Sequence, residues 1–370
     1  MQEDRILIRI APGDGVIDSM EIQARQHLRA SRVLEGKTWE EALMLIPMIY
    51  HVCAHAHSFA AHQAFACAQG KTPPSTLSHR LLVLLETCRE HARRIFMDWP
   101  ILYGQKPDSE MVLVIQRYLQ RIEESVGALM SKPQSQMHEE LQRDVQVLLD
   151  LLGPLHDEVA GTANISTVVT LVVRAMREQG MAELGRSDVP SLCIHEVDTA
   201  YLAEQLLQDT AGEFIAAPHL HGQVYETGPL ARMREQPFIQ TLSARYGNGV
   251  LTRFCAMVLE LVRIPQAMLN LILEADTPRQ YDHSVALSAG AGMGGVEAAR
   301  GFLWHRVEME HERIKRYQIL APTEWNFHPR GALFRGLHGL RFQAKTQLHK
   351  LASMITTALD PCVACAIEVV

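Results

Sequence analysis

A chain of 370 residues can bury a large core, and 47% hydrophobic with 21% charged residues is globular composition, which sets disorder aside. A formal charge of −7 offers no basic surface, so nucleic-acid binding is excluded as a leading function. The start Met1-Gln2-Glu3-Asp4-Arg5 has no apolar stretch behind it, and no secretory leader is expected.

In chain order, Arg5 to Ile10 alternates as a strand, and a turn at Gly13-Asp14-Gly15 leads to a partner strand. From Trp39 onward the pattern is helical. Leu77 to Phe96, Met111 to Met130 and Leu141 to Leu152 repeat apolar residues at three- and four-residue steps, with Pro73-Pro74 before the first and Gly153-Pro154 after the last. Leu251 to Ala275 reads as a long helix, apolar on most faces and therefore central. Arg263 and Glu260 interrupt it, so no membrane span is expected, and the chain reads as soluble and cytoplasmic.

The texture changes near Tyr281. His283 to Ser288 reads as a short strand, and the small-residue run Ala289 to Gly295 as a flexible connection; no Gly-Lys-Ser/Thr follows to make it a phosphate loop. Gly301 to Val307 and Arg313 to Leu320 read as a hairpin. The expectation is an α+β, mainly helical fold over residues 1–370: a single domain with small strands near both termini, a central helical bundle and termini that meet.

The cysteines stand at 53, 67, 88, 193, 255, 362 and 365. Cys67, Cys88 and Cys255 lie among apolar helical residues and read as small buried hydrophobes. Cys362-x-x-Cys365 has ligand spacing: two thiolates there could grip one soft metal, with Pro361 fixing the backbone before them. By itself the pair is half a zinc site, a redox pair, or two ordinary cysteines. The second cluster, Tyr50-His51-Val52-Cys53-Ala54-His55-Ala56-His57 with His62 beyond, holds other ligand-type residues. His51, His55 and His62 taken singly read as solvated or core histidines.

Asp360-Pro361-Cys362-Val363-Ala364-Cys365 resembles the C-terminal Asp-Pro-Cys-x-x-Cys of NiFe-hydrogenase large subunits. Ile49-Tyr50-His51-Val52-Cys53, followed by His57, resembles their Ile-Cys-Gly-Val-Cys-x-x-x-His. Glu297-Ala298-Ala299-Arg300-Gly301 is similar to their Ala-Pro-Arg-Gly segment, and Tyr317 to Asn326 with Pro329-Arg330 to the Tyr-Gln…Pro-Thr-Thr-Trp-Asn…Pro-Arg that follows. The motifs occur in the family's order, on a chain whose helical middle is shortened.

The resemblance implies that Cys53 and Cys365 are the cysteines on the iron side of a Ni-Fe centre, and that Cys362 matches one nickel-only cysteine. The other nickel-only position falls on Tyr50, a harder and more basic donor, and a flanking glycine becomes His51. Arg300 and Thr323 match the donors to the iron's cyanide ligands, Leu303, Ala321 and Pro322 match the apolar wall around its carbonyl, and His57 completes the pocket. The family's Arg-Gly-x-Glu falls on Leu28-Arg29-Ala30-Ser31 and its C-terminal histidine on Glu368, so its second divalent-metal site is not expected. Glu3 could align with a proton-relay glutamate, and Asp360 could simply cap its turn. Val369 and Val370 alone follow Glu368, so no protease-removable peptide is expected.

The reading implied is a hydrogenase-maturation scaffold, resembling the HupK and HoxV type. It would be a non-catalytic protein that receives the iron-cyanide-carbonyl unit, Fe(CN)2CO, without nickel, and passes it to the large subunit. Its expected partners are the maturation chaperones and the large-subunit precursor, with neither nucleic acid nor membrane. The alternatives are a divergent hydrogenase in which Tyr50 or His51 replaces the missing ligand, and a structural zinc protein using Cys53, His57, Cys362 and Cys365.

Overall fold

Alternating isoleucines start the chain's first sheet. Ile6, Ile8 and Ile10 are fully buried, whereas Arg9 between them faces outward and pairs with Glu21 at 3.4 Å and Glu368 at 3.2 Å. The computed structural model describes residues 5–23, 31–73, 77–127, 134–162, 167–273 and 283–370. Glu3, Leu28-Arg29-Ala30, Pro74, Met130, Ala275 and Tyr281, on which sequence expectations fall, lie outside these residues.

The strands among the described residues are β1 (Ile6–Pro12), β2 (Ile17–Gln23), β3 (Ser284–Ala286), β4 (Ala291–Ala298), β5 (Gly301–Glu310), β6 (Arg313–Leu320) and β7 (Cys365–Val369). They form two sheets, ordered β2-β1-β7 and β3-β4-β5-β6. β1 is antiparallel to β2 and parallel to β7, with Ile6 opposite Cys365 and Arg9 opposite Glu368. The expected turn Gly13-Asp14-Gly15 joins β1 to β2, with Gly15 at φ 74 where a side chain would be strained.

The run Ala289 to Gly295 is not the flexible connection the sequence suggested. It leads into β4, which pairs on both edges with β3 and β5 and is almost entirely buried. The physical reason is a close approach. A Cβ added at Gly292 would lie 2.3 Å from the Ala64 carbonyl oxygen, and one at Gly294 2.4 Å from that of Ala60. The helix Ala54–Ala68, lined by Ala56, Ala60, Ala61, Ala64 and Ala68, thus rests its backbone almost directly on the strand. On the other face Met293, Phe302, Trp304 and Leu320 join a core with Leu202, Leu206 and Trp325. The hairpin β5-β6 forms as expected, with Trp304 opposite Leu320 and Val307 opposite Tyr317.

The chain divides into two compact units, the first drawn from residues 1–74, 184–231 and 281–370, the second from 75–183 and 232–280. The first holds both sheets. The second is helical: Leu77–Arg93, Ser109–Gly127, Gln134–Leu152 and the long helix Val250–Leu273, which packs on the first and third of these. Val250–Leu273 is apolar and long enough to cross a bilayer by composition alone. It carries buried Arg253 and Glu260, however, and Glu260 is gripped by Arg232 (2.5 and 2.8 Å) and by His91 Nε2 (2.9 Å), as in a core helix.

Candidate metal centre

The Cys53 half of the site is made by a sharp bend. The helix Trp39–Ile49 ends at Tyr50, a short 3-10 turn His51–Cys53 follows with the Cys53 N–H donating to the Tyr50 carbonyl at 3.1 Å, and Ala54–Ala68 departs at 94° to the first helix. Tyr50 is buried, and its ring stacks on that of His57, centroids 4.2 Å apart and planes within 10°. His57 Nδ1 lies 2.9 Å from His305 Nε2 on β5, and His305 Nδ1 lies 2.6 Å from the Tyr317 hydroxyl on β6. Burial holds His305 down to about 3 and Tyr317 well above the ordinary phenol range, so the pair is neutral. His51 is exposed, and His55 and His62 are half-buried.

The Cys362 half hangs on three chain crossings. Asp360 is buried in the left-handed region at φ 48, an uncommon conformation for a residue before proline. Its Oδ1 lies 3.4 Å from Arg300 Nε, and both side chains are buried. This is no surface ion pair, and Asp360 does more than cap a turn. Asn326 fastens the neighbourhood: its Oδ1 accepts from Thr227 N–H at 2.9 Å, and its Nδ2 donates to the carbonyls of Arg300 (3.5 Å) and Leu359 (3.4 Å). Gly301, at φ +133, could carry no side chain, because a Cβ there would meet Thr227 Cγ2 at 2.4 Å.

Thr323, on the short helix Pro322–Asn326, places its hydroxyl 3.1 Å from Cys362 Sγ. Ala321 and Pro322 are buried before it, and Leu303 is buried on β5 one step from the Trp304–Leu320 pair. Cys365 opens β7 on the same face as Ile6, opposite to Glu368. Cys53, Cys362 and Cys365 are all half-buried thiols outside any disulfide.

The structure therefore joins Thr323 to Cys362, Arg300 to Asp360, and Tyr50 and His305 to His57. Among the described residues no three His, Cys, Asp or Glu side chains stand together as a metal-holding group. His305 and Thr227 were missed from sequence, and Asn326 entered only as the end of a matched segment. Their partners lie 248 residues away for His305 and 99 for the Asn326–Thr227 pair. The one local signal was a histidine in a strand whose neighbours are all apolar or buried.

The half-buried cysteines are donors of the type soft metals take, and the Arg300 guanidinium is buried.

Comparison with known proteins bears on the family and the fold. Residues 186–368 match the model of the nickel-dependent hydrogenase family. The chain is 30% identical to the hydrogenase expression/formation protein HupK of Bradyrhizobium diazoefficiens, over 95% of this chain and 93% of that protein. It is 31% identical to the hydrogenase expression/formation protein HoxV of Cupriavidus necator, over 92% of this chain and 90% of that protein. Among solved structures it shares the fold of the NiFeSe hydrogenase of Desulfovibrio vulgaris Hildenborough, with TM-score 0.70 and 18% identity over 96% of this chain and 95% of that one. With both sheets, the helical unit and the cysteine-bearing motifs in the family's order, the chain belongs to the hydrogenase expression/formation proteins of the HupK and HoxV type, built on the fold of NiFe-hydrogenase large subunits.

Proposed function

We propose that this chain is a non-catalytic assembly scaffold in the cytoplasm, which carries an Fe(CN)2CO unit and transfers it to a hydrogenase large-subunit precursor. The names of its relatives support a role in hydrogenase maturation. The observation that carries the finer reading is Tyr50. At a position the resemblance gives to a nickel-only thiolate stands a buried phenol ring, stacked on His57. The site offers Cys53 and Cys365 for iron but no second nickel-only cysteine, which suits a carrier that must later let its cargo go.

The cargo's iron is held by the thiolates of Cys53 and Cys365. Its cyanide nitrogens accept from Arg300 and Thr323, and the carbonyl rests against Leu303, Ala321 and Pro322. The Thr323 hydroxyl has one proton to give. With Cys362 S–H donating to Thr323 Oγ1 across their 3.1 Å contact, the O–H is left to point at a cyanide. Cys362 thus assists as a third sulfur without binding nickel. Delivery engages the chaperones that build the unit and the precursor that accepts it.

Infrared spectroscopy with iron and nickel quantitation on one anaerobic sample, the maturation machinery being co-expressed, tests the reading. Metal-bound cyanide and carbonyl bands with iron and without nickel are expected in the wild type, and their loss in Cys365→Ala. Absence of the bands from the wild type refutes the proposal. Stoichiometric nickel identifies a divergent hydrogenase, and zinc without diatomic bands a structural zinc protein.

A further inference from the structure

Three side chains from three elements form one buried line, of which the site chemistry above draws only on His57. Tyr317 on β6, His305 on β5 and His57 on the helix Ala54–Ala68 are 1%, 0% and 3% exposed. Their contacts are 2.6 Å from the Tyr317 hydroxyl to His305 Nδ1 and 2.9 Å from His305 Nε2 to His57 Nδ1. Proton counting fixes the direction of both bonds. The Tyr317 hydroxyl has one proton, and His305 is its hydrogen-bond partner among the described residues. His305 Nδ1 must then accept, and a neutral imidazole that accepts on Nδ1 bears its proton on Nε2. That N–H points at His57 Nδ1, which therefore accepts as well. The proton of His57 is left on Nε2, on the other side of the ring.

We propose that His305 and Tyr317 are positioning residues: through this line they lock His57 in the Nε2–H tautomer and so present one fixed N–H donor at the cysteine-bearing end of its helix. Tyr50, stacked on the ring, fixes the plane in which that donor lies. His57 stands in the first turns of its helix, four residues after Cys53 at that helix's N-cap. A donor of fixed direction suits an electron-rich sulfur or cyanide, whereas a histidine free to present a bare nitrogen would repel it. The consequence for cargo rests on the iron-scaffold reading; the tautomer assignment does not.

The test uses the full chain labelled with 15N-histidine, with long-range proton–nitrogen spectra near neutral pH and His57 and His305 assigned from His57→Gln and His305→Gln. The expected wild-type result is a protonated Nε2 and a bare Nδ1 on both rings. Tyr317→Phe, which removes only the hydroxyl, is expected to release the lock and yield mixed tautomers at both. A wild-type His57 protonated on Nδ1, or a Tyr317→Phe spectrum identical to wild type, overturns the proposal. In iron-loaded protein His305→Leu is expected to lose iron about tenfold faster, the effect of losing one hydrogen bond to a charged group. His305→Gln, which keeps an N–H donor at that place, is expected to restore retention. Equal loss in the Leu and Gln variants counts against it. If wild type carries no iron, the scaffold reading fails and the spectra alone decide the tautomer.

Discussion

Replacing Gly294 with alanine should loosen the contact that positions the Cys53 half of the site. The new Cβ would lie 2.4 Å from the Ala60 carbonyl oxygen, 2.5 Å from Gln63 Cβ and 2.7 Å from Ala64 N. Two of these are helix backbone, so no side chain can rotate away, and the helix Ala54–Ala68 has to retreat by about 1 Å to reach ordinary contact. Overpacking of well-packed cores costs about 1–3 kcal/mol, and a clash with backbone lies at the upper end, about 3 kcal/mol. A retreat of that size also lengthens the His57–His305 contact from 2.9 Å to beyond hydrogen-bonding reach. Urea unfolding gives the stability change, and amide hydrogen exchange over residues 54–68 and 291–298 localises it. Gly127→Ala is the control: nothing lies within 4 Å of its added Cβ at the exposed end of a helix, and it should be neutral or stabilising by up to about 1 kcal/mol. A Gly294→Ala protein with an unchanged midpoint and unchanged exchange would refute the close-approach reasoning.

In the helical unit, Glu260→Gln should destabilise by about 3 kcal/mol, because the half-buried Arg232 loses its buried carboxylate partner. Burial pushes the Glu260 carboxyl up, but Arg232 and His91 outweigh it and hold the group at about 2, below its ordinary 4.5. The unfolded chain therefore binds the proton first: the wild type should lose about 3 kcal/mol of stability as pH falls from 4.5 to 2, and the variant, lacking this carboxyl, should show a flatter acid limb in denaturation midpoints measured across that window. Tyr50→Cys restores the missing thiol and should raise nickel per chain in anaerobically loaded protein; nickel at the wild-type level would count against the carrier reading. Thr323→Val keeps the shape but removes the hydroxyl beside Cys362, and should shift the cyanide stretching bands of loaded protein while changing the unfolding free energy by about 1 kcal/mol or less. Unshifted bands would remove Thr323 from the cargo pocket.

What the sequence disclosed depended on how far apart the cooperating residues lie. The hairpin β5-β6 and the long helix Val250–Leu273 were legible because their patterns are local. β4 was not, because a strand of Gly292, Gly294 and Gly295 has no side-chain pattern of its own. Its partner is the alanine-rich second half of another helix, so each small-residue segment makes sense only beside the other. The site divides the same way. Cys362-x-x-Cys365 and the Cys53 cluster stood out by spacing, and Thr323 and Arg300 came through resemblance. The Thr323–Cys362 contact, the Arg300–Asp360 pair and the Tyr317–His305–His57 line are three-dimensional facts with no sequence spacing to announce them.

The topology gives the two halves of the site different histories. Everything that fixes Cys53 and His57, namely the helix Ala54–Ala68, β4, β5 and Tyr317 on β6, is complete once the chain reaches about Leu320. Cys365 waits for β7, which pairs with β1 across 359 residues, as the Arg9–Glu368 contact does. Such a closure is slow, because its loop entropy must be overcome before any contact rewards it. β7 is also an edge strand of five residues in the order β2-β1-β7, the kind of element whose pairing is least secured. Cys362, by contrast, is tied back by Thr323, and Asp360 by Arg300. On the scaffold reading proposed above, Cys365 rides on this short edge strand, so its thiolate is the one placed to let the cargo go first.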